Sequence, residues 1–157
     1  MSYSYARINL DKTNYKKIDN YQILPNPDPN QLNEIYYKYC RYHKFNSVMP
    51  IFDSEYQDNE VIGYYEGDVL VAFSLIAQYD SENAEAVQFA WDYVSPKMFL
   101  GLASLRNECA LYKEKGFKYL YIGGADAYKN QIDGLEIMTP VSWIDGRWTI
   151  DGFEKVP

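Results

Sequence analysis

The stretch from Trp91 to Gly124, WDYVSPKMFLGLASLRNECALYKEKGFKYLYIGG, most narrows what this chain can fold into. An alternating run ends near Trp91, and Gly101 lies in a bend. Leu102, Leu105, Cys109 and Tyr112 then recur at helical spacing. Gly116 suits the left-handed residue that ends a helix, and Phe117–Ile122 reads as a buried strand. Strand, helix and strand in one block make a βαβ unit. Its strand-to-helix junction exposes backbone N–H groups at the positive end of a helix dipole, a natural seat for an anionic cofactor.

Upstream of this block the chain reads as one helix and a meander. Residues 1–20 carry no clean period, although Tyr3–Leu10 suits an edge strand, and Tyr21–Leu24 is a short apolar segment. In PNPDPNQ, Asp28 is a helix cap, Pro29 suits the first helical position, and Gln31 completes the spacing of a capping box. Leu32, Ile35, Tyr36, Tyr39 and Cys40 give that helix one buried stripe up to about Arg41. Met49–Phe52 forms an apolar island in an irregular segment, read as a surface loop anchored by Phe52. Val61–Tyr65 and Val69–Tyr79 flank Glu66-Gly67-Asp68 as a hairpin, and the second strand is apolar on both faces, hence central. Ala86–Val94 is a third strand, with Val87, Phe89, Trp91 and Tyr93 on one side and Gln88, Ala90 and Asp92 on the other. Ala125–Thr139 has helical character near Ala127–Ile132, broken at Gly134. A last hairpin is expected around Asp145-Gly146.

Bulk properties exclude several function classes. With 157 residues, 47% of them hydrophobic, the chain is expected to be a single domain, 1–157, large enough for a real core. No apolar run approaches the ~18 residues of a membrane span, and the N-terminus lacks a secretory leader, so a cytoplasmic protein is expected. Cys40 and Cys109 fall on apolar helix faces and read as buried free thiols. A net charge of −7 disfavours a broad nucleic-acid surface. His43, the one histidine, sits at a helix C-terminus where its charge would suit the dipole. Without a second histidine there is neither a metal site nor a Ser-His-Asp arrangement.

The order of elements resembles the GNAT acyltransferase fold: α+β, with a mixed, mostly antiparallel central sheet and helices on both faces. Leu100-Gly101, Ser104, Glu108 and Gly116-Phe117-Lys118-Tyr119-Leu120-Tyr121-Ile122-Gly123 look most like the C-terminal half of arginyl-tRNA–protein transferases and FemX-type aminoacyl transferases. That closer match covers about a quarter of the chain. The resemblance implies an N-acyltransferase using acetyl-CoA, another acyl-CoA or an aminoacyl donor, with a small amine or a protein amine as acceptor. Nucleic acid would enter only as aminoacyl-tRNA, and a homodimer is a further partner. The alternative is a GNAT-like binding protein that has lost donor chemistry.

On this resemblance the donor's pyrophosphate would lie against Lys97, Gly101, Leu102 and Ala103. The family's Arg or Gln at the head of its Gly-x-Gly/Ala loop is replaced here by Met98, and Lys97 stands one position early. Ser95-Pro96 also reads as a helix cap, which would wind Gly101 into the first turns. Asp92 is the candidate base, Tyr128 the candidate acid, and backbone N–H groups near Val94 would polarise the acyl carbonyl. Asp92 as a strand-end cap, and Tyr128 as one more of seventeen tyrosines, are the structural alternatives. The aminoacyl family's Lys-Met-x-Tyr-Lys word is absent from Tyr128–Gly134.

Overall fold

The computed structural model describes residues 5–45, 59–124, 127–140, 143–144, 147–148 and 153–155. Its strands are β1 (Tyr5–Asn9), β2 (Tyr21–Ile23), β3 (Glu60–Glu66), β4 (Val69–Gln78), β5 (Asn83–Trp91), β6 (Tyr119–Gly124), β7 (Leu135–Pro140), β8 (Trp143–Ile144), β9 (Arg147–Trp148) and β10 (Phe153–Lys155). The helices are α1 (Pro29–His43) and α2 (Leu100–Glu114). Eight strands form one sheet in the order β10-β7-β1-β6-β5-β4-β3-β2, while β8 and β9 pair separately. Every pair in the large sheet is antiparallel except β5–β6, which α2 connects as a parallel crossover. This is the expected α+β, GNAT-like architecture.

The two helices cover opposite faces. On α1, the Asp28 carboxylate accepts from the Asn30 amide at 3.0 Å and Pro29 opens the helix. Its stripe Leu32 and Ile35 packs on Phe73 and Leu75 of β4. On α2, Leu105, Cys109 and Tyr112 pack on the other face with Ile62 and Tyr64 of β3, Ala72 and Ile76 of β4, and Ile8 of β1. Strand β4 is therefore buried on both sides, as its apolar text predicts. Each fully buried Phe or Leu there contributes about 1.5–3 kcal/mol.

Helix α2 stops where its glycine allows. Gly116 (φ +91°) donates to the Lys113 carbonyl at 3.0 Å, and Phe117 donates to Tyr112 at 3.0 Å. The Tyr112 and Phe117 rings meet edge-on at 5.2 Å, the apolar contact that usually seals a glycine C-cap.

Several expectations need correction. The first strand is not an edge: β1 lies between β6 and β7, its Ala6 and Ile8 in the core. Polar Arg7 hid this, because it faces the opposite side, over the Tyr119 ring at 3.7 Å and paired with Glu136 at 2.8 Å. The weak helical character expected near Ala127 is there as a short 3-10 helix, Ala127–Gln131, and β7 follows it. Val87 does not share a face with Phe89 and Trp91. Leu75 pairs with Gln88 and Ile76 with Ala86, leaving Val87 as a bulge that turns toward the α1 side. Met49–Phe52, Asp145 and Gly146 lie outside the described residues.

Gly134 (φ +75°) joins the start of β7 to β1, its carbonyl accepting from the Asn9 amide at 2.9 Å. A Cβ there would stand 2.5 Å from the Asn9 carbonyl oxygen, whereas one at Gly116 would meet nothing within 4 Å. Gly134→Ala should therefore cost on the order of 3 kcal/mol and Gly116→Ala about 1 kcal/mol. Urea denaturation of the two variants checks the difference; equal losses would contradict the close approach.

Candidate functional site

The bulge at Val87 marks where β5 and β6 part. Their parallel ladder comprises Asn83–Tyr119, Ala84–Leu120 and Glu85–Tyr121, and no pairing joins the strands beyond it. Bulges bend a strand and sharpen its twist, which here takes β5 away from β6. A cavity of about 220 Å³ opens in the gap. Ala86–Phe89 of β5 and Ile122 of β6 form its sides, Gly101, Ser104, Leu105 and Glu108 of α2 form one wall, and Tyr39 of α1 and Lys129 complete it. It opens at the end of the sheet toward which both parallel strands run, the end at which open α/β sheets bind ligands.

The chain reaches α2 through two left-handed residues. Tyr93 (φ 58°) ends the run from β5, Pro96–Met98 forms a 3-10 turn, and Phe99 (φ 49°) breaks that turn from α2. Gly101 thus lies in the first turn of α2, yet it faces the cavity, and a Cβ there would find open space. The first backbone bond of the helix runs from the Ala103 amide to the Phe99 carbonyl at 3.2 Å. The amides of Leu100, Gly101 and Leu102 precede that ladder, and Phe99 supplies no side-chain cap. Of these residues Gly101 lines the cavity while Leu100 is buried, so the Gly101 amide is the donor placed to meet an anionic group at the positive end of the helix.

Gly101 aside, the residues expected to act in catalysis or donor binding lie outside the described lining. Asp92 accepts from the Val94 amide at 2.9 Å, so the proposed base and the proposed carbonyl polariser are bonded to each other. The Val94 side chain is 71% exposed and that of Phe99 72%. Lys97 is exposed in the 3-10 turn, and Leu102 and Ala103 are half-buried on α2. Tyr128 belongs to the 3-10 helix after β6, and its side chain lies outside the described residues. His43 is exposed at the end of α1, as expected, but its Nε2 also meets the Tyr93 hydroxyl at 2.8 Å.

Sequence reasoning missed the chemistry on the α2 wall of the cavity. Glu108 is 2% exposed, and its Oε2 accepts from the Tyr64 hydroxyl at 2.5 Å and from Ser74 Oγ at 2.8 Å. Asn107 Nδ2 donates to the same Tyr64 hydroxyl at 3.3 Å, while its Oδ1 accepts from the Ile18 amide. Desolvation pushes the Glu108 carboxyl from 4.5 up to about 7, against the pull of the Tyr64 and Ser74 donors. Burial, with the Glu108 charge adding to it, holds the Tyr64 hydroxyl well above its usual range, so it remains a donor. In the sequence Glu108 counted only as one of the residues that carry the family resemblance, with no chemical role. Only the neighbours from β3 and β4 give it a role.

Lys129 is a second buried charge on the lining, and its Nζ donates to the Ile122 carbonyl at 2.7 Å. Burial pushes the Cys109 thiol far up, which removes it as a nucleophile at neutral pH. Among the described residues no cluster of three or more His, Cys, Asp or Glu could hold a metal ion, and no helix is long and apolar enough to cross a membrane.

No family model matches the sequence, and no curated protein matches it. Solved structures do match its fold. L-PGS from Bacillus licheniformis superposes with a TM-score of 0.60 at 14% identity, over 80% of this chain and 48% of that one. The C-terminal domain of a putative lysylphosphatidylglycerol synthetase from Agrobacterium fabrum gives 0.61 at 10% identity, over 80% and 48%. A probable N-acyltransferase from Enterococcus faecalis gives 0.57 at 10% identity, over 87% and 38%. The chain shares its fold with these structures. The chain spans less than half the length of these neighbours.

Because the Glu108 carboxyl binds its proton more tightly in the folded protein, that proton favours folding. The contribution is complete below about pH 4.5 and is lost as pH rises through about 7. Stability should fall by on the order of 3 kcal/mol across that window, and Glu108→Gln should flatten the slope. Urea unfolding of both proteins at pH 5 and pH 8 is the check; an unchanged slope in the variant would place the titration elsewhere.

Proposed function

We propose that this protein is an N-acyltransferase that moves an acyl group from an acyl-CoA or aminoacyl donor to an amine. The observation that carries this reading is the parting of β5 from β6 beside the uncapped start of α2. A strand that has lost its neighbour offers backbone donors and acceptors to an extended, amide-bearing arm such as pantetheine. The Gly101 amide, at the start of α2 and on the cavity lining, suits the arm's phosphate end. The solved structures with this fold include a protein described as a probable N-acyltransferase and one described as a putative lysylphosphatidylglycerol synthetase. They favour acyl transfer in general and keep an aminoacyl donor, in line with the FemX-like text of α2 and β6, beside acyl-CoA. A cytoplasmic location would supply either donor.

The amine nitrogen attacks the donor carbonyl, the bond to sulfur or oxygen breaks, and the ammonium proton must pass to a base. Asp92 can serve through Oδ2 while Oδ1 holds the Val94 amide. Tyr128 keeps the role of acid to the leaving group. The second reading, a binding protein without donor chemistry, draws on Met98 in place of the loop's Arg or Gln and on the Asp92–Val94 bond.

Calorimetric titration with acetyl-CoA and CoA separates the two. Saturable binding, weakened roughly tenfold or more by Gly101→Trp, is expected of the enzyme; no heat with any of several acyl-CoAs or with an aminoacyl-tRNA would leave the binding protein. In an active preparation Asp92→Asn should lower kcat roughly a hundredfold and barely move donor affinity. Unchanged turnover would remove Asp92 as the base.

A further inference from the structure

We propose that the cavity between β5 and β6 is a subsite for a primary ammonium group on a short aliphatic chain, with Glu108 as its counter-ion. This deepens the acyl-transfer reading and rests on it for its biological meaning, though not for its test.

Three observations converge. First, Glu108 is a deeply buried carboxyl on a cavity wall, and none of the ion pairs among the described residues includes it. A buried carboxylate without a cation is costly, and a cationic ligand removes that cost. Second, both of its hydrogen bonds, from Tyr64 and Ser74, end on Oε2. The carboxyl plane is thereby fixed, and Oε1 takes no bond from a described residue. Third, Tyr39 and Phe89 stand edge to face on the same lining, with ring centroids 6.3 Å apart. Aromatic walls around a carboxylate are a favourable setting for an ammonium group. The volume of about 220 Å³ equals roughly seven waters, enough for a short aliphatic amine and too little for a whole CoA.

The groups that set the charge here come from five elements. Tyr64 on β3, Ser74 on β4 and Asn107 on α2 surround the carboxyl, Tyr112 and Cys109 lie on its own helix, and Tyr39 and Lys129 face the cavity. Lys129 Nζ is directed to the Ile122 carbonyl. Glu108, raised to about 7, must lose its proton to pair with an ammonium ion, so binding strengthens between pH 6 and pH 8 and releases a proton at the lower value.

Calorimetry of the full chain with butylamine, alaninamide and butanol tests this at pH 6 and pH 8. An ammonium-bearing probe should bind at least roughly tenfold more tightly than butanol, and Glu108→Gln should erase that preference. At pH 6, wild-type protein titrated in two buffers of different ionisation enthalpy should show net proton release, a readout that stands even if the variant fails to fold. Equal binding of amine and alcohol, or no proton release, overturns the proposal. A preference for alaninamide assigns the subsite to an aminoacyl donor, and a preference for butylamine assigns it to the acceptor. Amine binding in a protein silent to every acyl donor would uphold this subsite while rejecting the transferase.

Discussion

Three residue pairs hold the two halves of this sheet together. Asn83–Tyr119, Ala84–Leu120 and Glu85–Tyr121 form the one parallel ladder in the large sheet, and it stops where Val87 bulges out of β5. On one side lie β2 to β5 in a plain antiparallel meander; on the other lie β6, β1, β7 and β10. The crossover through α2 makes the parallel contact necessary, and the bulge makes it brief. The cavity, the open edge of β5 and the place of Gly101 beside it all follow from that early termination.

The wall supplied by α2 explains why this helix differs from α1. α1 buries an ordinary apolar stripe against β4. α2 buries Ser104, Asn107 and Glu108 together with its apolar residues. The Tyr64 hydroxyl gathers that polar set, donating to Glu108 and accepting from Asn107. Buried networks of this kind fix one packing arrangement, and this one also holds a titratable group on the wall of an opening. Stability and site chemistry therefore meet in the same few side chains.

Local signals carried much of the fold. Asp28 and Pro29 placed the start of α1, Gly116 placed the end of α2, and the two-sided apolar text of β4 placed it in the interior. What stayed hidden is non-local. A single bulge reverses the facing of Val87 without leaving any mark in composition, because valine suits either side. β1 looked peripheral because Arg7 and Asn9 interrupt it, yet Arg7 is held by Tyr119, Tyr121 and Glu136 from two neighbouring strands. At the site, the sequence drew attention to Gly101, which lies in the first turn of α2 with open space beside it. It gave Glu108 no chemical role, because a lone acid on a helix is ordinarily solvated, and its partners Tyr64 and Ser74 lie 44 and 34 residues away.

Tyr93 occupies a backbone region that tyrosine seldom visits, at a cost of about 1–3 kcal/mol. Its ring is clasped between Tyr42 of α1 at 3.8 Å and Trp91 of β5 at 4.3 Å, and aromatic contacts of this kind offset a cost of that size. The bend before α2 is thus tied to the last turn of α1 by stacked rings. Whatever shifts that last turn must therefore either carry the bend with it or unstack the rings, which makes the position of one helix a condition on the approach to the other.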